Sequence, residues 1–286
     1  MLVLLNRIIL TIFISVVSFS AFSEEMNTNY LKTDWSFKGI FGTFDRASLQ
    51  RGYQVYQEVC SGCHSVQHLS YRNLSEKGGP EFSVEEAKAI AAQFEVEDGP
   101  NSDGEMFMRP GRLSDTFVKP YPNVEASTAA NGGAYPPDMS VLTKARKGGA
   151  DYIYSLLLGY EEAPTGFELD EGVYYNKYMP GNKIKMIAPL SDGLVEYSDG
   201  TPSTTAQMAK DVTAFLVWVA EPHLESQHRM GFKSIIYLII LFILVYMSKQ
   251  KVWSRFGSKK EPEEETFDKV ERAVTEYEGE DPKTFK

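Results

Sequence analysis

The sequence predicts a mostly α-helical fold: a domain of short helices with long loop insertions, followed by one C-terminal transmembrane helix. Three observations lead there. Apolar residues recur at helical spacing in 48–59, 83–94, 140–159 and 204–220. Gly- and Pro-rich stretches, Gly99–Pro122 and Glu161–Ser203 among them, separate these segments, and no alternating pattern is long enough for a large sheet. Residues 231–247 form an apolar run whose one charge is Lys233.

The N-terminus reads as an export signal. Arg7 is the only charge before Ile8–Ser20, a short apolar run, and Ala21-Phe22-Ser23 places small residues where a signal peptidase cuts. Residues 1–23 are therefore expected to be removed, leaving an outside domain over 24–230.

Ser48–Val59 is the first expected helix, starting at a capping residue and packing one face through Leu49, Tyr53 or Val55, Tyr56 and Val59. It runs into Cys60-Ser61-Gly62-Cys63-His64. The spacing C-x-x-C-H is the attachment signature of a c-type haem. Two thiols so spaced add to the two vinyl groups of one porphyrin, and the next residue offers an axial nitrogen. The chain contains two cysteines, both in this motif. No Cys or His pair completes a zinc site, and no βαβ pattern suggests a dithiol redox fold. The cofactor expected is one covalent haem c.

Ser83–Phe94 opens on the capping-box pattern Ser83-Val-Glu-Glu86. Ser140–Lys147 and Asp151–Gly159 form a pair broken at Gly148-Gly149. Thr204–Ala220 carries the stripe Val212, Phe215, Leu216, Val219, and Pro222 stops it. The long loops between need a reason in a compact domain. A large apolar macrocycle that they wrap supplies one.

The opposite face of the iron needs a second ligand. His68 is too near His64 to reach it, and His223 and His228 lie just before the span. Of the ten methionines, Met186 stands out in Pro180-Gly-Asn-Lys-Ile-Lys-Met186-Ile-Ala-Pro189, a loop stiffened by prolines. Met106 and Met108 are its rivals, and most methionines in any domain are core filler. A His/Met pair raises the reduction potential and leaves no open coordination position. That suits electron transfer. A peroxidase would need an accessible face with an acid/base residue, and the sequence nominates none.

Gly231–Met247 would reach roughly 25 Å as a helix, near the lower limit of a bilayer core. Lys249, Lys251, Arg255, Lys259 and Lys260 follow, which places the C-terminus in the cytoplasm. Residues 248–286 are thus a tail, first basic and then acidic, with a short helix expected around Phe267–Tyr277. The outside domain holds 29 acids and 18 bases. Such a surface repels nucleic acid and favours basic protein partners.

Several long runs go beyond the haem motif. They include Arg51–Ser65, Asp98–Gly111, Asn131-Gly-Gly-Ala-Tyr-Pro-Pro-Asp138, Ala145–Tyr152, Gly159-Tyr160, Lys210-Asp-Val and Ala220-Glu-Pro-His. With them the chain closely resembles the cytochrome c1 family from Trp35 to Trp253. The resemblance implies a cytochrome c-type haem domain. It also implies the role of a redox subunit in a quinol–cytochrome c oxidoreductase (cytochrome bc1) complex, neither binding quinol nor catalytic alone. It assigns the second axial ligand to Met186, with Ala188 where the family often has a proline. It implies that Arg146 pairs with a haem propionate and that Tyr152, Asn131, Pro136 and Pro137 line the pocket. The implied partners are cytochrome b, a Rieske iron–sulfur protein as donor and cytochrome c as acceptor, in a dimeric complex. Glu95–Asp98 with Asp103 and Glu105, Glu161-Glu162 and Glu168–Glu171 are candidate docking acids, although any domain this acidic has such clusters. The style of the signal peptide points to a bacterial inner membrane.

Overall fold

A computed structural model describes residues 29–254 and 269–273. The expected signal peptide lies outside the described residues, as do the basic residues Arg255, Lys259 and Lys260 and most of the acidic tail. The chain divides into two units, 1–224 and 225–286.

The first unit is built on two helices, α1 (Arg46–Val55) and α6 (Thr205–Ala220). Between them in sequence come α2 (Val84–Ala91), α3 (Val124–Ala130), α4 (Leu142–Ala145) and α5 (Gly149–Leu158). Two small antiparallel hairpins complete it: β1 (Glu95–Asp98) with β2 (Phe107–Pro110), and β3 (Tyr174–Tyr175) with β4 (Lys183–Ile184). The fold is mostly helical, as the periodicity predicts. The sequence reading did not foresee α3 or either hairpin, because each is too short to show a period.

Helix α1 begins two residues earlier than expected. Asp45 rather than Ser48 is its N-cap, and its carboxylate accepts the Ser48 amide at 3.2 Å. The capping box of α2 forms as read, Glu86 Oε2 accepting from the Ser83 amide at 2.7 Å. Gly148 adopts φ 96° ahead of α5, a left-handed conformation that a side chain disfavours. Thr204 caps α6.

The core is aromatic. Tyr53, Tyr56 and Phe215 meet where α1 crosses α6, and Tyr71 stacks on Phe117 at 4.6 Å. Gly52 permits the crossing. A Cβ there would lie 2.1 Å from the Asp211 carbonyl oxygen. The same crossing carries a buried ion pair. Asp211, 1% exposed, accepts from Arg51 Nε at 2.8 Å and from Arg51 Nη2 at 3.1 Å. Ser48 and Gln207 also donate to it, at 2.7 and 2.9 Å. Every lone-pair direction of the carboxylate is thus used, which is what a buried charge requires.

The second unit holds α7 (Leu224–Trp253), whose 30 residues overrun the expected span at both ends. It is long and apolar enough to cross a membrane. Residues 269–273, inside the short helix expected in the tail, are helical.

Candidate haem site

Helix α1 does not stop cleanly at Val55. It widens into a π-helical turn, Tyr56–Cys60, with the Ser61 amide donating to the Tyr56 carbonyl at 2.8 Å. Such widened turns recur at functional positions. The chain then folds back: the amides of Cys63 and His64 both donate to the Cys60 carbonyl, at 3.1 and 2.9 Å. Cys60, Cys63 and His64 thus occupy one tight turn at the end of a core helix. Both thiols are free. Burial pushes the Cys60 thiol up to about 12, with Cys63 a smaller contribution in the same direction. A dithiol redox centre needs an activated thiolate, and this one is suppressed.

His64 is half-buried, and its Nδ1 lies 2.8 Å from the Pro137 carbonyl oxygen. A carbonyl only accepts, so Nδ1 carries the proton and Nε2 keeps its lone pair. Burial lowers the ring's pKa, against the opposing pull of the Pro137 bond and Asp138, which favours the neutral form. This is the arrangement of a metal-ligating histidine with an oriented ring.

Asp138 explains why that carbonyl sits there. Its carboxylate accepts from Ser65 Oγ at 2.7 Å, the Gln67 amide at 3.1 Å and the Ser140 amide at 2.8 Å. The Met139 amide donates to the Ser65 carbonyl at 2.8 Å. The segment after His64 is thereby zipped to the segment after Pro137. Burial works against the Asp138 charge, but these bonds outweigh it and its pKa is lowered. The sequence reading missed Asp138, although Pro-Pro-Asp marked a rigid stretch ending in a capable acceptor.

The same loop meets Lys185, the residue before Met186. Asn131 ends α3, its Nδ2 donating to the Ser127 carbonyl at 2.7 Å. Gly132 and Gly133 follow at φ 59° and 81°. Lys185 Nζ lies 3.4 Å from the Gly132 carbonyl. Lys185, next to the half-buried Met186, therefore meets one end of a loop whose other end, Pro137, holds His64. Met186 is also tied through its own carbonyl, which accepts from Tyr160 Oη at 3.0 Å. Of its rivals, Met108 lies on β2 and Met106 just before it, 55% and 54% exposed.

Tyr152 is buried on α5 against the edge of Tyr30, and its hydroxyl points at Met179 Sδ, 3.6 Å away. Burial raises its pKa, and the nearby Arg146 opposes this. So Tyr152 and Arg146 lie close to one another. Arg146 is exposed and pairs with no carboxylate among the described residues, so its charge is available to a propionate. Pro136 is half-buried and Pro137 exposed. A neutral imidazole with an oriented lone pair, two free thiols in one turn and a guanidinium without a carboxylate partner among the described residues fit a covalent haem.

A family model for the Cytochrome C1 family matches residues 35–256. The chain belongs to the cytochrome c1 family. Named relatives agree. A cytochrome b/c1 protein of Bradyrhizobium diazoefficiens is 50% identical over 239 residues, 77% of this chain and 35% of that one. The chain thus spans about a third of that longer protein. The heme protein cytochrome c1-2 of Solanum tuberosum mitochondria is 50% identical over 226 residues, covering 79% of this chain and 86% of the relative. A cytochrome b-c1 complex catalytic subunit of Candida albicans mitochondria is 47% identical over 228 residues, 79% and 78% of the two chains.

Proposed function

We propose that this chain is the haem c-bearing electron-transfer subunit of a quinol–cytochrome c oxidoreductase. Cys60 and Cys63 would form the two thioether links, and His64 Nε2 and the Met186 thioether would hold the iron. Arg146 neutralises a propionate, and Tyr152, Asn131, Pro136 and Pro137 line the pocket. When bound, haem c supplies a one-electron couple. The chain's own residues do the rest. His64 is held neutral and oriented by the Pro137 carbonyl. A soft thioether favours the ferrous state and so raises the potential. With His64 and Met186 both supplied by the protein, the bound iron would offer no position to a substrate.

The observation that carries this reading is the loop 131–138, which receives His64 on one carbonyl and Lys185, the neighbour of Met186, on another. The electron arrives from a Rieske iron–sulfur protein and leaves to cytochrome c. Cytochrome b is the membrane partner, a role supported by the names of the Bradyrhizobium and Candida relatives. The assembly is dimeric. In this reading the haem domain lies in the periplasm of a bacterial inner membrane with the C-terminus cytoplasmic, which the export signal ending at Ser23 and the apolar length of α7 support.

Purification from native membranes tests the proposal. Haem should stay on this chain through denaturation, its reduced spectrum should be low-spin and indifferent to carbon monoxide, and cytochrome b and a Rieske protein should co-purify. A colourless chain, or ready carbon monoxide binding, would overturn it.

A further inference from the structure

The loop that bears Met186 has little regular structure, yet a thioether ligand must be delivered to one point. Its restraints converge on two residues outside the haem motif. Asn176 is fully buried. Its Nδ2 donates to the Leu156 carbonyl at the end of α5, at 2.8 Å, and its Oδ1 accepts the amides of Tyr178 and Met179 at 3.0 and 3.2 Å. Its backbone amide donates to the Asn182 carbonyl at 3.1 Å, and Asn182 Nδ2 donates back to the Asn176 carbonyl at 3.1 Å. Tyr160 pairs with Asn176 in an isolated bridge, and the Lys177 amide donates to the Gly159 carbonyl at 2.9 Å. Helix α5, Tyr160 and the start of the 176–186 excursion thus form one rigid junction. From it the Tyr160 hydroxyl projects to the Met186 carbonyl at 3.0 Å.

We infer that Tyr160 is a positioning residue for the axial methionine, a strut that fixes the Met186 backbone and leaves its sulfur free to ligate. The inference rests on Met186 being the ligand. The bond spans 26 residues of chain, and Phe would keep every ring contact while losing it. The strut opposes displacement of the thioether by other ligands. Its loss raises the population in which the sulfur is off the metal, which exogenous ligands capture.

The test uses the full-length, haem-loaded chain purified from membranes. In Tyr160→Phe, haem attachment should be stoichiometric. The ferric thioether charge-transfer band should weaken, and imidazole should bind the ferric form about two- to tenfold tighter, the worth of one neutral hydrogen bond. Replacing Tyr160 with 4-aminophenylalanine, which keeps a donor at the ring's end, should restore wild-type imidazole affinity. Wild-type affinity and an intact band in Tyr160→Phe would overturn the inference, as would 4-aminophenylalanine behaving like Phe. If Tyr160→Phe does not accumulate, the 4-aminophenylalanine protein decides alone: imidazole affinity at the wild-type level supports the strut, and a rise overturns it. Met186→Leu separates this inference from its premise. Loss of the band there, with no effect in Tyr160→Phe, sinks only the strut, whereas a band surviving Met186→Leu sinks the ligand assignment and the strut with it.

Discussion

At the scale of single residues, two buried or half-buried carboxylates each do a different job. Asp138 fixes the loop that orients His64. Asp211 joins α1 to α6 through Arg51, which also meets Asp199 at 2.7 Å. Breaking a buried pair costs more than the pair is worth, because the surviving charge keeps its desolvation penalty. Asp211→Asn should therefore destabilise the haem-loaded domain by about 3 kcal/mol, near the lower end for a buried pair because Asp199 still holds Arg51. Denaturant unfolding measures it, and a loss below a few tenths would show that the pair is idle. Cys60, Cys63 and His64 were legible from their spacing alone. Asp138 and Tyr160 were not, since an Asp after two prolines and a Tyr after a glycine occur in many loops with no such role.

At the scale of elements, the α1–α6 crossing and the β1–β2 hairpin give opposite lessons about legibility. Both helices were readable from periodicity, although the N-cap of α1 is Asp45 and not Ser48. That they touch at Gly52 was not. Gly52→Ala tests the contact. Overpacking costs about 1–3 kcal/mol, and the gain in helix propensity returns at most about 1. A net loss of stability is expected, with a fall in the denaturant midpoint; a stabilised variant would mean that the helices part without strain. The hairpin was hidden in an acidic loop. Its end is clamped by Arg109, which contacts Asp98 and donates to Asp115 at 2.6 Å. The Arg109 hydrogen bond holds both carboxylates below their usual range. Groups with depressed folded-state pKa values stabilise above the unfolded value, about 3.9 for Asp, and lose that contribution as pH falls through the depressed values. Protection of the amides in residues 95–110, measured against their intrinsic exchange rate at each pH, should thus hold down to about pH 4 and fall below it. Arg109→Gln should abolish that pH step, and a step unchanged by the substitution would dismiss the clamp.

At the scale of the whole molecule, an acidic domain faces a proposed basic electron acceptor. Long-range attraction between exposed charges fades with a Debye length of about 8 Å at physiological ionic strength. The second-order rate of cytochrome c reduction should fall steeply as salt rises. A rate independent of salt would remove electrostatic docking and leave the electron-transfer reading standing.

The sequence by itself determined what is local and contiguous: the C-x-x-C-H pentapeptide, the main helices with the capping box of α2, and an apolar segment able to span a bilayer. Each leaves a mark within a few turns of chain, because covalent spacing and helical period are short-range properties. Only the tertiary structure decided which polar groups meet across long separations. Arg51 finds Asp211 160 residues away, and His64 finds the Pro137 carbonyl 73 residues away. Buried donors and acceptors must be paired, but many pairings satisfy that demand equally well in sequence. Packing of α1 on α6 and the zip of Ser65–Gln67 onto Asp138–Ser140 choose among them.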